Sequence, residues 1–181
     1  MPEHMTRPRQ GAISTDPSAL IQIEGFRVKG IMEDGDATYL HVPMSSFLEG
    51  NTPDRDRHEA PRYGWKIHIS AYPHNAQQIA DAVIPVLHKM NVWHKYAKSL
   101  ASLNKLVADP GQEGKFITIY TEDQDRSGGG PITTNIVARV EEALKGKGLI
   151  GPVVADERPL GTLGLIFMRW SDNYAANERD R

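Results

Sequence analysis

A chain of 181 residues with 39% hydrophobic and 24% charged content is long enough for one domain with a proper core and short for two. Its formal net charge of -2 gives no electrostatic reason to bind nucleic acid or an anionic membrane. Zero cysteines exclude disulfides and thiolate chemistry and fit a reducing, cytoplasmic setting. No apolar run reaches membrane-spanning length, and the N-terminus lacks the apolar core of a secretory signal.

Residues 1–18 are polar and carry prolines, with little to bury, which predicts a disordered tail ahead of a single domain over 19–175. Within that domain Phe26–Ile31 and Ala37–Val42 alternate around Glu33-Asp34-Gly35-Asp36, the pattern of a hairpin or meander. Residues 50–63 form a charged loop that leads into Gly64-Trp65-Lys66-Ile67-His68-Ile69-Ser70. In a strand, alternate side chains point to opposite faces. Trp65, Ile67 and Ile69 therefore share a face that wants a core, and Lys66, His68 and Ser70 share the other. A cation two positions from an imidazole suits an anionic substrate with an anionic leaving group. A half-exposed strand whose polar face meets water gives the same alternation.

Next comes a helix with Asn75 as its expected N-cap and Ile79, Val83, Val86, Leu87 and Met90 on one face, which Pro85 is expected to kink or end early. Asn91–Tyr96 reads as extended. A shorter helix over Ser99–Val107 buries Leu100, Leu103 and Leu106 and breaks at Asp109-Pro110-Gly111. Gly114–Tyr120 is a strong strand pattern. Ser127-Gly128-Gly129-Gly130-Pro131 lacks the Lys-Ser/Thr pair that closes a phosphate loop. A third helix, capped near Thr133 or Thr134, buries Ile136, Val137, Val140 and Leu144 and stops at Gly146, with Lys145 suiting the dipole. A last strand covers roughly Leu163–Trp170, and residues 176–181 are a frayed tail. Strands and helices are partly segregated, so the expected class is α+β, mainly antiparallel, with about three helices packed on the sheet.

The Gly64–Ser70 string, Val92-Trp93-His94-Lys95-Tyr96, Gly114–Tyr120 and Phe167-Met168-Arg169 occur in an order and at separations that resemble the phosphothreonine lyase family of bacterial type III effectors. They look closer still to the lyase domain at the N-terminus of class III and class IV lanthipeptide synthetases, over about Phe26 to Tyr174. The resemblance implies a carbon–oxygen lyase. Such enzymes remove phosphate from phosphoserine or phosphothreonine in a peptide by β-elimination, leaving dehydroalanine or dehydrobutyrine, without a metal or other cofactor. It also implies roles: Lys95 as the base for the α-proton, His68 as the acid for the departing phosphate, and Lys66, Tyr120 and Arg169 as groups that bind phosphate or steady the enolate-like carbonyl.

Those residue types suit those tasks. A lysine base must be neutral, and neighbouring cations and burial favour that form. The same cations hold a phosphate dianion, arginine with two parallel hydrogen bonds. In one place the chain departs from the family: Pro110 stands where the family usually carries a phosphate-binding arginine, with Lys98, Lys105 or Lys115 as candidate substitutes. No part of the chain reads as a kinase or cyclase. The expected partners are therefore a phosphorylated precursor peptide and a separate kinase and cyclase, with no nucleic acid and no membrane. Two other readings remain: an effector acting on a host kinase, and a non-catalytic peptide-binding subunit of a modifying complex, which Pro110 favours. His68, His74, His88 and His94 show no metal-ligand spacing such as His-Glu-x-x-His, and no Gly-x-Ser-x-Gly elbow supports nucleophilic hydrolysis.

Overall fold

The structure, a computed structural model, describes the backbone of residues 32–33 and 39–42 and, in full, residues 63–90, 92–97, 99–121, 123, 125–126 and 130–172. The expected tails over 1–18 and 176–181, strand Phe26–Ile31, most of the charged loop over 50–63, Lys98 and residues 127–129 of the glycine loop lie outside the described residues. The strands are β1 (Met32–Glu33), β2 (Tyr39–Val42), β3 (Gly64–Ile69), β4 (His94–Ala97), β5 (Ile117–Tyr120), β6 (Arg158–Leu160) and β7 (Ile166–Ser171). The helices are α1 (Ala76–Met90), α2 (Leu100–Ala108) and α3 (Pro131–Leu144).

The seven strands among the described residues join one antiparallel sheet in the order β1-β2-β4-β5-β3-β7-β6. The α+β, antiparallel expectation holds. β3 lies inside the sheet between β5 and β7, which its sequence invites: both of its faces carry side chains that are buried. Trp65 aside, its apolar face is sealed. Ile67 and Ile69 join Ile117, Ile119, Ile166 and Met168 against Ile79, Ala80, Val83, Ile84 and Leu87 of α1, Leu103 and Leu106 of α2, and Ile136, Val140 and Leu144 of α3. Each large apolar side chain buried in this layer contributes about 1.5–3 kcal/mol relative to exposure.

Local signals were overruled in four places. Pro85 neither ends α1 nor shortens it, since the helix runs on to Met90. The carbonyl deprived of a donor is that of Asp81, one turn earlier on an exposed residue, where water can satisfy it. Asn75 does not cap α1: its Nδ2 donates to the Ile150 carbonyl at 2.6 Å, and a 3₁₀ turn over Pro73–Asn75 leads into the helix instead. α3 begins at Pro131 behind Gly130, earlier than Thr133 or Thr134, because proline fits the first helical position and lacks only a donor the helix leaves unused there. Thr133 is instead tied by its N–H and hydroxyl to the buried Asp123 carboxylate. Finally, the last strand starts at Ile166, and β6 pairs with it although Arg158-Pro159-Leu160 shows no strand pattern. α2 follows its expectation, with Ser99 Oγ accepting from the Ser102 N–H at 3.1 Å as an N-cap.

Candidate active site

Residues opposite one another in an antiparallel pair project from the same face. The register therefore sorts the predicted site residues into two rows on the face away from the helices. In one row Lys95 of β4 lies opposite Thr118 of β5, Thr118 opposite His68 of β3, and His68 opposite Phe167 of β7. In the next row Tyr120, Lys66 and Arg169 stand side by side on β5, β3 and β7. Strands are spaced about 4.8 Å apart, so Lys95 and His68 flank Thr118 with roughly 10 Å between their backbones.

This face does not simply meet water. Lys66, His68, Lys95, Thr118 and Tyr120 are all buried, and Arg169 is the part-exposed member, with 30% of its side chain accessible. The Lys66 ammonium sits 5.4 Å from the centre of the Tyr120 ring, within the range of a cation–π contact, and Tyr120 packs with Trp93 in a small cluster separate from the main core. Lysine stems can lie along such aromatic surface while the charged end points elsewhere.

A residue that sequence reasoning missed completes the arrangement. Glu157, whose side chain is 1% exposed, reaches across from the start of β6. Its Oε1 lies 2.6 Å from His68 Nδ1, and its Oε2 lies 3.7 Å from Lys115 Nζ and 4.0 Å from Arg169 Nε. The segment leading to it is pinned to the end of β3. Ser70 Oγ donates to the Pro152 carbonyl, Asn75 donates to the Ile150 carbonyl, and a Cβ on Gly151 would come within 2.6 Å of Ser70 Oγ, so only glycine fits that approach. Asp156, just ahead of Glu157, holds a positive φ of 60, a conformation costly for most side chains but tolerated by aspartate. Nothing in the local sequence marks this carboxylate, because its partners are distant and it belongs to no periodic pattern. The one available signal was chemical: a site with this many cations requires an anion to neutralise part of them.

Electrostatics follow from this packing. Burial lowers the His68 pKa from 6.5 to about 4, opposed by the hydrogen bond and charge of Glu157 and assisted by Lys115 and Lys66. Burial acts to raise the Glu157 carboxyl, but the His68 hydrogen bond, with the charges of Lys115 and Arg169, outweighs it and holds the group below its ordinary range. Before substrate arrives, then, the pair is a neutral imidazole donating from Nδ1 to a carboxylate.

Of the other expected phosphate ligands, Lys115 is buried beside Glu157, which makes that carboxylate its immediate counter-charge. Lys105 is exposed on α2, and Pro110 lies in the exposed turn after it. Lys98 is outside the described residues.

The fold of this chain, an antiparallel sheet covered by helices on one face, is shared with solved bacterial proteins. The phosphothreonine lyase SpvC, an effector protein from Salmonella, aligns with a TM-score of 0.53 at 16% identity, over 83% of this chain and 72% of that one. The Chromobacterium violaceum VirA (SpvC) phosphothreonine lyase effector aligns with a TM-score of 0.56 at 15% identity, over 83% and 70%. At these identities the likeness is one of fold. Residues 51–179 match the family described as RamC, N-terminal domain, and the chain belongs to that family. A probable SapB synthase of Streptomyces coelicolor is 29% identical over 115 residues, 62% of this chain, and the match spans only 11% of that much longer protein.

Proposed function

We propose that this protein is a carbon–oxygen lyase that removes phosphate by β-elimination from phosphoserine or phosphothreonine of a ribosomally made precursor peptide, giving dehydroalanine or dehydrobutyrine without a metal. The observation that carries this reading is the shared row of Lys95 and His68 beside the row of Lys66 and Arg169. Family membership and the lyase fold of the structural neighbours support it.

In this reading Lys95 Nζ takes the proton from Cα. The electrons of that bond form the Cα–Cβ double bond as the Cβ–oxygen bond breaks, and His68 Nε2 protonates the departing phosphate. Lys66 and Arg169 hold the phosphate, and the Tyr120 hydroxyl helps to steady substrate charge. A phosphate dianion set against Nε2 supplies the opposite charge that raises imidazole basicity, so Nε2 takes up a proton, from water or the incoming phosphate monoanion, as substrate binds and His68 becomes the acid. The phosphate has to be installed by a peptide kinase beforehand, and the dehydro residues are electrophiles suited to a cyclase afterwards.

A second reading, a non-catalytic peptide-binding subunit, is favoured by Pro110 in place of the family's arginine. Mass spectrometry of phosphoserine and phosphothreonine peptides incubated with the protein separates the two. Loss of phosphoric acid, absent with Lys95→Ala, supports the lyase. Loss of phosphate with gain of water means hydrolysis and rejects elimination. Binding of the peptides with no mass change favours the subunit.

A further inference from the structure

We propose that Glu157 is a positioning residue for His68: its carboxylate keeps the imidazole proton on Nδ1 and so turns a bare Nε2 toward the substrate phosphate. The role in turnover rests on the lyase reading, whereas the tautomer is a property of the protein alone.

The geometry carries the inference. A carboxylate accepts hydrogen bonds and cannot donate one, so a 2.6 Å contact to Nδ1 requires the proton to sit on that nitrogen. Nε2 is then the nitrogen that can take up and deliver a proton. Glu157 is also an anion among these cations: Lys66 on β3, Lys115 ahead of β5 and Arg169 on β7 act on the same imidazole or carboxylate. Without it, the charges of Lys115 and Lys66 on His68 would stand unopposed by this carboxylate.

A purely structural role is a poor explanation for such a group. Burying a carboxylate costs several kcal/mol, and an apolar side chain of similar size often serves stability as well or better. Here the carboxylate is buried, its Oε2 has no hydrogen-bond partner among the described residues, and a non-glycine residue in the left-handed region delivers it. Oε2 instead faces Lys115 and Arg169. One carboxylate thus ties the orientation of the acid to the arginine proposed to hold the leaving group.

Glu157→Gln and Glu157→Ala separate its two contributions. The glutamine carbonyl can still accept from Nδ1–H but carries no charge, while alanine removes both the acceptor and the charge. Histidine-labelled protein is followed by ¹⁵N NMR, with His68→Asn to assign the signal, and elimination is timed with a phosphothreonine peptide. The wild type is expected to show the Nδ1–H tautomer, and Glu157→Ala a mixture or the opposite form. In Glu157→Gln, kcat is expected to fall roughly ten- to a hundredfold, part of the ~10²–10⁴ a general acid supplies, with KM little changed. The limb of the pH–rate profile that follows His68 should move to lower pH. A wild-type Nε2–H tautomer, or a Glu157→Gln enzyme with unchanged kcat and pH profile, overturns the proposal. If the wild type performs no elimination, the lyase reading falls, and the tautomer in wild type and variants still decides whether Glu157 positions His68. Should Glu157→Ala not fold, the near-isosteric glutamine variant and the wild-type spectrum decide it.

Discussion

The two faces of the sheet each bury a histidine, and they do so in different company. His68 lies among lysines, an arginine and a carboxylate on the site face. His94, opposite Ile119 in the register, points into the helix-covered core. Its Nδ1 lies 2.7 Å from the Val92 carbonyl, while its Nε2 has no hydrogen-bond partner among the described residues. Burial lowers both pKa values from 6.5 to about 4, with His88 adding to the effect at His94. The same displacement has different uses. On the proposed reading it is reversed at His68 by a phosphate arriving at the second nitrogen, whereas His94 is fully buried on the core face and serves as packing material. A perturbed histidine is evidence of a site only when charged partners and an open path accompany it.

Breaking the site face should cost activity more than stability. Lys95→Ala removes the proposed base, and elimination is expected to drop by roughly 10³-fold or more, measured by phosphate release from a phosphothreonine peptide. His68→Asn is expected to lose about 10²–10³-fold, and less with a substrate whose leaving group is a weaker base. An equal loss across leaving groups would count against its role as the acid.

Breaking the core face should do the reverse. Ile119→Ala removes a fully buried side chain and is expected to destabilise the fold by about 2–5 kcal/mol in urea, with elimination per folded molecule largely retained. Asp123→Ala, which deprives Thr133 at the start of α3 of its acceptor, should cost about 1–2 kcal/mol by the same measurement. A last effect concerns pH. A folded histidine at about 4 against 6.5 when unfolded means that the unfolded chain binds more protons in between, so stability falls as pH drops from 6.5 towards 4. His94→Asn, which can keep a donor for the Val92 carbonyl, should flatten that slope. An unchanged slope would show that His94 does not carry it.

The legibility of the molecule follows the range of its interactions. Alternation exposed both faces of β3, because strand period is a local property, and the order of four short strings exposed the fold. Lys66, His68, Lys95, Tyr120 and Arg169 were found through those strings, and the register brings them to one face. Glu157 could not be found the same way, since its significance lies in a histidine and a lysine far from it in sequence. Asn75 failed for the same reason: its local pattern says cap, and its partner is Ile150. Among the described residues β6 pairs with β7, and Pro159 within it argues locally against any strand.

The position of β3 between β5 and β7 has a consequence for how the chain is made. Its two neighbours are synthesised long after it, and β7 comes near the end of the described residues. Pairings between residues so far apart are slow to form. While the nascent chain lengthens, β3 therefore stands with both backbone edges unpaired and Ile67 and Ile69 uncovered, a ready template for another chain. The strand that organises the finished molecule is its most vulnerable segment on the ribosome. Truncation ahead of Ile166 should accordingly yield aggregates rather than a smaller soluble domain.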